Sequence, residues 1–166
     1  LGALCLERIA VDYRRKCKFA FQVWMDEMQL TSSIEVYNSL LSMHWALDHT
    51  EVSITIDNSA LYRHCREKLD IKVPRFKHYN NVTSKLMSNV TAPFRLGLTT
   101  DDLNIYCRDM VPFPRLHFMM PSIAPIISNK TKDNKYKDDI QTLADSCLTR
   151  ENMMVWMPDF DCEEDK

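Results

Sequence analysis

The dipeptide Asp57-Asn58 closes the alternating run Val52-Ser53-Ile54-Thr55-Ile56. Period-two apolar spacing predicts a strand there, and open α/β sheets bind ligands at the carboxyl ends of their strands. Asn58 offers a donor and an acceptor suited to a purine edge or a ribose hydroxyl. The two residues are equally suited to capping a helix that starts with them. Phe76 and Asn80 fall one turn apart on one face of a predicted helix. A ring there can stack on a base while the amide reads its edge, although the pair also reads as core ring and solvated amide. His44 and His117, among apolar neighbours, read as satisfied core histidines, whereas His49, His64 and His78 read as surface. Asp101-Asp102 precedes a helix, where the dipole favours negative charge. No Ser/His/Asp or Cys/His constellation follows from spacing.

Composition narrows the chemistry further. The 166 residues include only Gly2 and Gly97, and a phosphate cradle of the P-loop or dinucleotide type needs a glycine-rich turn. A hydrophobic content of 45% excludes intrinsic disorder, and a formal net charge of −2 gives no pull toward nucleic acid or anionic membrane. No stretch approaches the roughly 20 apolar residues of a membrane-spanning helix. The six cysteines contain no C-x-x-C pair and no ligand spacing with histidine, which argues against zinc. The opening Leu1–Arg8 lacks the basic lead and apolar block of a signal peptide, so reduced thiols and a cytosolic setting are expected. The sequons at Asn81, Asn89 and Asn129 then read as chance.

Several elements must position these residues. Helical spacing covers Leu4 to Tyr13, and Phe19, Phe21 and Val23 alternate as a strand. Thr31-Ser32-Ser33 can cap a helix whose apolar face is Ile34, Tyr37, Leu41, His44 and Trp45. After the Val52–Ile56 strand come a short helix bearing Leu61, Tyr62 and Cys65, and a longer one over Phe76–Thr91. The longer helix carries an inward stripe of Phe76, Tyr79, Thr83, Leu86, Met87 and Val90, and Pro93 ends or kinks it. A short helix holds Leu103, Tyr106, Cys107 and Met110. Pro112 and Pro114 hold the following backbone extended, and Leu116, Phe118 and Met120 alternate as a strand. Asn129–Lys137 is a polar loop, Asp139–Leu148 a helix with Ile140, Leu143 and Cys147 inward, and Asp159–Lys166 an acidic tail. Alternating strands and helices through residue 95 predict an α/β sheet layer, with a smaller α+β region over 96–166.

Taken in order, several runs resemble the tubulin family. Leu6-Glu7-Arg8-Ile9-Ala10-Val11-Asp12-Tyr13 is similar to the alpha-type sequence just after its glycine-rich phosphate loop. Glu35-Val36-Tyr37-Asn38-Ser39 resembles the family's Glu-Pro-Tyr-Asn, with Val36 in place of proline. Asp57-Asn58-Ser59-Ala60-Leu61-Tyr62, Leu69-Asp70-Ile71 and Val111-Pro112-Phe113-Pro114-Arg115-Leu116-His117-Phe118 match too. Asn152-Met153-Met154 resembles the beta chain. The match spans about residues 1–157, with a one-residue deletion near Gly97, and corresponds to the middle third of a tubulin.

The resemblance implies part of the tubulin GTPase parallel sheet with flanking helices, residues 1–95, followed by the start of the intermediate domain, 96–166. It implies GTP as ligand, with Thr31 and Glu35 near the ribose, Asn58 and Asn80 reading ribose and guanine, and Phe76 in place of a stacking tyrosine. Phosphate loops and Mg²⁺ ligands are expected upstream of this span. Implied partners are a beta-tubulin-like subunit and microtubule-associated proteins, with no nucleic acid or membrane, in the cytoplasm and cytoskeleton. Asn129–Lys137 matches a segment making side-to-side contacts between protofilaments. The glutamate that helps activate water on the neighbouring subunit's nucleotide is matched by Ile105, which cannot polarise water; Asp102 matches a nearby aspartate. Two expectations follow: a GTP-binding structural subunit of microtubules, or a non-polymerising pseudo-tubulin acting as an interaction protein without hydrolysis.

Overall fold

The computed structural model describes residues 1–25, 32–97, 103–126 and 139–155. One sheet of three parallel strands, in the order β1-β2-β3, organises them: β1 (Phe19–Trp24), β2 (Val52–Asp57) and β3 (Phe118–Met119). β1 and β2 pair from Phe19 opposite Val52 to Trp24 opposite Asp57, so their carboxyl ends finish level. β3 pairs only with Ser53 and Ile54. Parallel strands need crossover connections. Helix α2 (Ile34–His49) supplies the first; α3 (Asn58–Arg63), α4 (Phe76–Arg95) and α5 (Leu103–Met110) lie within the second. α1 (Gly2–Asp12) packs on α2, and α6 (Ile140–Leu148) follows β3. This is the α/β architecture expected from the alternation of elements.

β2 has one feature that its period-two pattern did not show. A polar alternate face suggests a solvated side, yet Val52 through Ile56 are all buried. The hydroxyls are instead satisfied internally. Gln22 Nε2 donates to Ser53 Oγ at 3.4 Å, Ser53 and Thr50 hydroxyls meet at 2.8 Å, and Thr50 Oγ1 donates to the Ala46 carbonyl at 2.7 Å. Thr55 Oγ1 donates to the Met119 carbonyl at 3.0 Å. On the apolar side, Ile56, Leu61, Cys65, Val82, Leu86 and Met154 form one cluster, against which Tyr79 and Val90 pack.

Several faces differ from the periodic reading. The α2 stripe of Ile34, Tyr37 and Leu41 is exposed, as is His44, while Ala46 is the buried residue of that helix. On α4, Val82 is buried and Phe76 is 81% exposed, so the stripe starts a turn later than its sequence spacing suggests. Ile140 of α6 is exposed too. An apolar stripe marks a face that repels water; which face the neighbouring elements cover is a tertiary matter.

Pro93 lies inside α4, which continues to Arg95. Compensating contacts hold that last turn. Phe94 packs edge-on against Tyr106 of α5 at 5.2 Å, and Arg95 donates to the Ser88 carbonyl at 2.8 Å. The proline-rich run is also not uniformly extended. Leu116 N–H donates to the Phe113 carbonyl at 3.1 Å, with Arg115 at φ 75°. Proline at the second position and positive φ at the third define a type II turn, which delays β3 to Phe118. Because Arg115 occupies a conformation that favours glycine, Arg115→Gly is expected to raise stability by about 1 kcal/mol, as an increased urea midpoint.

Candidate functional site

The level carboxyl ends of β1 and β2 define the edge where Asp57 and Asn58 stand. Asp57 is committed to structure. Its carboxylate accepts from Ser59 N–H at 3.1 Å as the N-cap of α3, and its own N–H donates to the Met154 carbonyl at 2.8 Å. Asn58, the first residue of α3, is half-buried, and its side chain makes no hydrogen bond among the described residues. The capping role therefore falls to Asp57, which leaves the neighbouring amide uncommitted.

Glu35 is half-buried in the first turn of α2, the helix that follows β1. Its N–H donates to the Ser32 carbonyl at 3.1 Å, and Ser32 Oγ accepts from Ile34 N–H at 3.3 Å. Ser33, the N-cap residue, makes no side-chain cap hydrogen bond, so the expected capping is reduced to this turn from Ser32. Thr31 lies outside the described residues, as do Asp101-Asp102, the Asn129–Lys137 segment and the acidic tail.

Phe76 opens α4 with its ring edge-on to Tyr79, centroids 6.2 Å apart. Tyr79 packs on the cluster that contains Ile56 and Leu61, and α4 contacts α3. One ring of this turn is thus rooted in the core while the other is open to solvent. Asn80, a turn beyond Phe76, is exposed and makes no side-chain hydrogen bond among the described residues. Asn58 opens α3 after the carboxyl end of β2, Glu35 lies in the first turn of α2, and Phe76 and Asn80 share one face of α4, which contacts α3.

The expected positions supply an exposed aromatic ring, two amides without side-chain partners among the described residues, and a carboxylate. Gly97, the glycine with positive φ (62°), lies beyond the end of α4, and the described residues contain no metal-ligating group of three His, Cys, Asp or Glu. A donor that spacing did not reveal is the buried indole N–H of Trp24, which lacks a partner among the described residues. Trp24 ends β1 and lines, with Gln22, Asn38 and Ser42, a recess of about 150 Å³.

Two further residues set this edge without having been legible as site residues. His64, expected at the surface, is buried, with Nε2 3.0 Å from the Met153 carbonyl. A carbonyl only accepts, so Nε2 carries the hydrogen, and Nδ1 is buried without a partner among the described residues. Burial pushes this imidazole below its ordinary 6.5, Arg63 and Lys68 push the same way, and the Met153 hydrogen bond opposes them. Met154, fully buried, brings its carbonyl to Asp57. His64 and Asp57 thereby clamp the 153–154 segment against α3 and β2. His117 is buried as expected, with Nε2 3.4 Å from the Ala46 carbonyl.

A family profile described as Tubulin C-terminal domain matches residues 114–164. The Tubulin alpha-3 chain of Zea mays is 45% identical over 130 residues, covering 78% of this chain and 29% of that protein. The Tubulin alpha-A chain of Neurospora crassa is 39% identical over 156 residues, 93% of this chain and 34% of that one. The Tubulin alpha chain of Eremothecium gossypii is 37% identical over 156 residues, 93% and 35% respectively. The chain spans about a third of the length of the curated relatives it matches.

The clamp has a pH signature. His64 is less basic folded than unfolded, so the unfolded chain gains its proton first on acidification. The stability that His64 contributes is complete above about pH 6.5 and declines as pH falls from there through its lower folded value. His64→Gln, whose amide can still donate to Met153, is expected to flatten the fall in urea midpoint between pH 7 and pH 5; an unchanged slope would exclude this assignment.

Proposed function

The chain belongs to the tubulin family, alpha-like over the span compared, and from that premise we propose that its parent protein is a GTP-binding structural subunit of microtubules. In this reading it pairs with a beta-type subunit, meets microtubule-associated proteins and resides in the cytoplasmic cytoskeleton. The observation that carries the nucleotide half of the proposal is the uncommitted Asn58 amide at the carboxyl edge, beside an Asp57 already consumed as helix cap. Asn58 and Asn80 then read the ribose and guanine edges, Phe76 stacks on the base, and Glu35 and Thr31 take the ribose side. Phenylalanine keeps the stacking face of a tyrosine and loses only its hydroxyl. GTP would be the ligand, and the residues of this span would meet its nucleoside side. The family's division into a nucleotide-binding part (1–95) and an intermediate domain from residue 96 is part of the same proposal.

A fluorescent guanine nucleotide titrated into the full-length protein should bind saturably. Phe76→Ala is expected to weaken that binding about tenfold through lost stacking, at a rough cost of 1–1.5 kcal/mol. Because its ring is 81% exposed, the change should alter folding stability by no more than about 0.5 kcal/mol. Absence of saturable binding would favour the second reading, a non-polymerising pseudo-tubulin acting through protein contacts.

Ile105, half-buried on α5, is the observation favouring that second reading. A hydrocarbon side chain neither orients water nor accepts a proton. We expect hydrolysis promoted on a neighbouring subunit to be weak, and Ile105→Glu to raise GTP turnover of full-length polymer by about tenfold or more. Unchanged turnover would remove Ile105 from this role.

A further inference from the structure

At the amino edge of the sheet, opposite the end where Asn58 stands, lies a cleft of about 540 Å³ whose lining includes Cys17, Glu51, Cys107, Arg108 and Arg115. Neither cysteine is in a disulfide, and their Sγ atoms lie 2.6 Å apart across 90 positions of sequence. A disulfide bond measures about 2.05 Å, so bonding requires about half an ångström of movement.

The pair is held by its surroundings. Tyr106, beside Cys107 on α5, has its ring between Phe19 of β1 at 6.3 Å and Phe94 of α4 at 5.2 Å. Lys18, beside Cys17, is tied to Glu51 at 2.8 Å. Neither sulfur sits on an unanchored segment.

We propose that Cys17 and Cys107 form a redox-reactive dithiol, converted to an intramolecular disulfide by a carboxylate-bearing small disulfide of the glutathione class. Half-buried Cys17 loses its proton and its thiolate attacks one sulfur of the incoming disulfide. The Cys17–S bond forms, the reagent's S–S bond breaks, and one small thiolate leaves and takes up a proton. Cys107 then loses its proton and attacks the Cys17 sulfur, expelling the second small thiolate, which is protonated in turn. The two cysteines lose two electrons and two protons, and the reagent gains both. Arg108 and Arg115, exposed on the cleft wall, suit the reagent's carboxylates, since their ion pairs with Asp109 (3.4 Å) and Asp48 (3.8 Å) are exposed and loose.

The order of attack follows from the environments. Burial pushes the Cys107 thiol up to about 12, with the Cys17 hydrogen bond and charge and Glu51 adding to it. Cys17 is half-buried and lines the cleft, while Cys107 is 6% exposed, so an incoming disulfide reaches Cys17 first and Cys107 serves as the resolving thiol. Consuming Cys17 as a mixed disulfide removes its share of that suppression. The closed bond ties the lead-in of β1 to α5.

The test exposes the full-length protein to glutathione disulfide, quenches by alkylation and maps peptides by mass spectrometry without reduction. The expected product is one linked peptide pair containing Cys17 and Cys107, reversed by dithiothreitol. Its melting temperature should rise by about 5 °C or more. Cys107→Ser should leave Cys17 as a persistent glutathione adduct, and Cys17→Ser should leave Cys107 unreacted. Separate adducts on both cysteines, linkage to other cysteines, or both thiols recovered as alkylated would overturn the proposal. The unmutated protein's map decides it even if a variant fails to fold, and nothing in it depends on nucleotide binding.

Discussion

Strand β2 is buried on both faces, and the rest of the structure is arranged around what that requires. Ile56 and Val52 are 0% and 1% exposed, and Ser53, between its apolar neighbours, is 0% exposed as well. A buried hydroxyl left without a partner costs roughly 1–3 kcal/mol. The relay from Gln22 through Ser53 and Thr50 to the Ala46 carbonyl removes that cost, and it joins β1, β2 and the end of α2 as it does so. Thr55 does the same toward β3 through Met119. The polar residues of this strand therefore act as fasteners between elements.

That rigidity is passed to the carboxyl edge. β3 pairs with β2 at only two residues, and beyond them the Met154 carbonyl takes over by accepting from Asp57. Residues distant in sequence thus share one core cluster with Ile56 and Leu61. With Asp57 held from both sides, α3 starts at a defined place and Asn58 is presented with it. Phe76 is the contrasting element, an aromatic ring on a well-anchored helix that contributes its face to solvent instead of to the core. A residue arranged this way is available for stacking without being needed for folding.

At the other edge, the same sheet brings two thiols together from β1's lead-in and α5. Neither cysteine has a neighbour in sequence that announces the other. The contact exists because Tyr106 packs between Phe19 and Phe94, which places α5 across the amino end of the strands. Arg115 and His117 reach that region through the type II turn at Phe113–Leu116 and the start of β3.

Local pattern was enough to place the strands at Phe19 and Val52, the helices at Phe76 and Leu103, the cap at Asp57 and, through motif resemblance, the tubulin family. These are short-range properties: alternation, 3.6-residue spacing and a side chain bonding its own neighbouring backbone. Orientation was not legible in the same way. The stripe of α2 points outward, His64 is buried while His44 is exposed, Pro93 is carried within α4, and Met154 sits in the core. Each of these depends on which surface another element covers, and burial is set by partners dozens of residues away. The sequence by itself determined the elements, the family and the kinds of chemistry available; the tertiary structure alone decided which amides were left uncommitted, which histidine was buried beneath a backbone carbonyl and which two cysteines met.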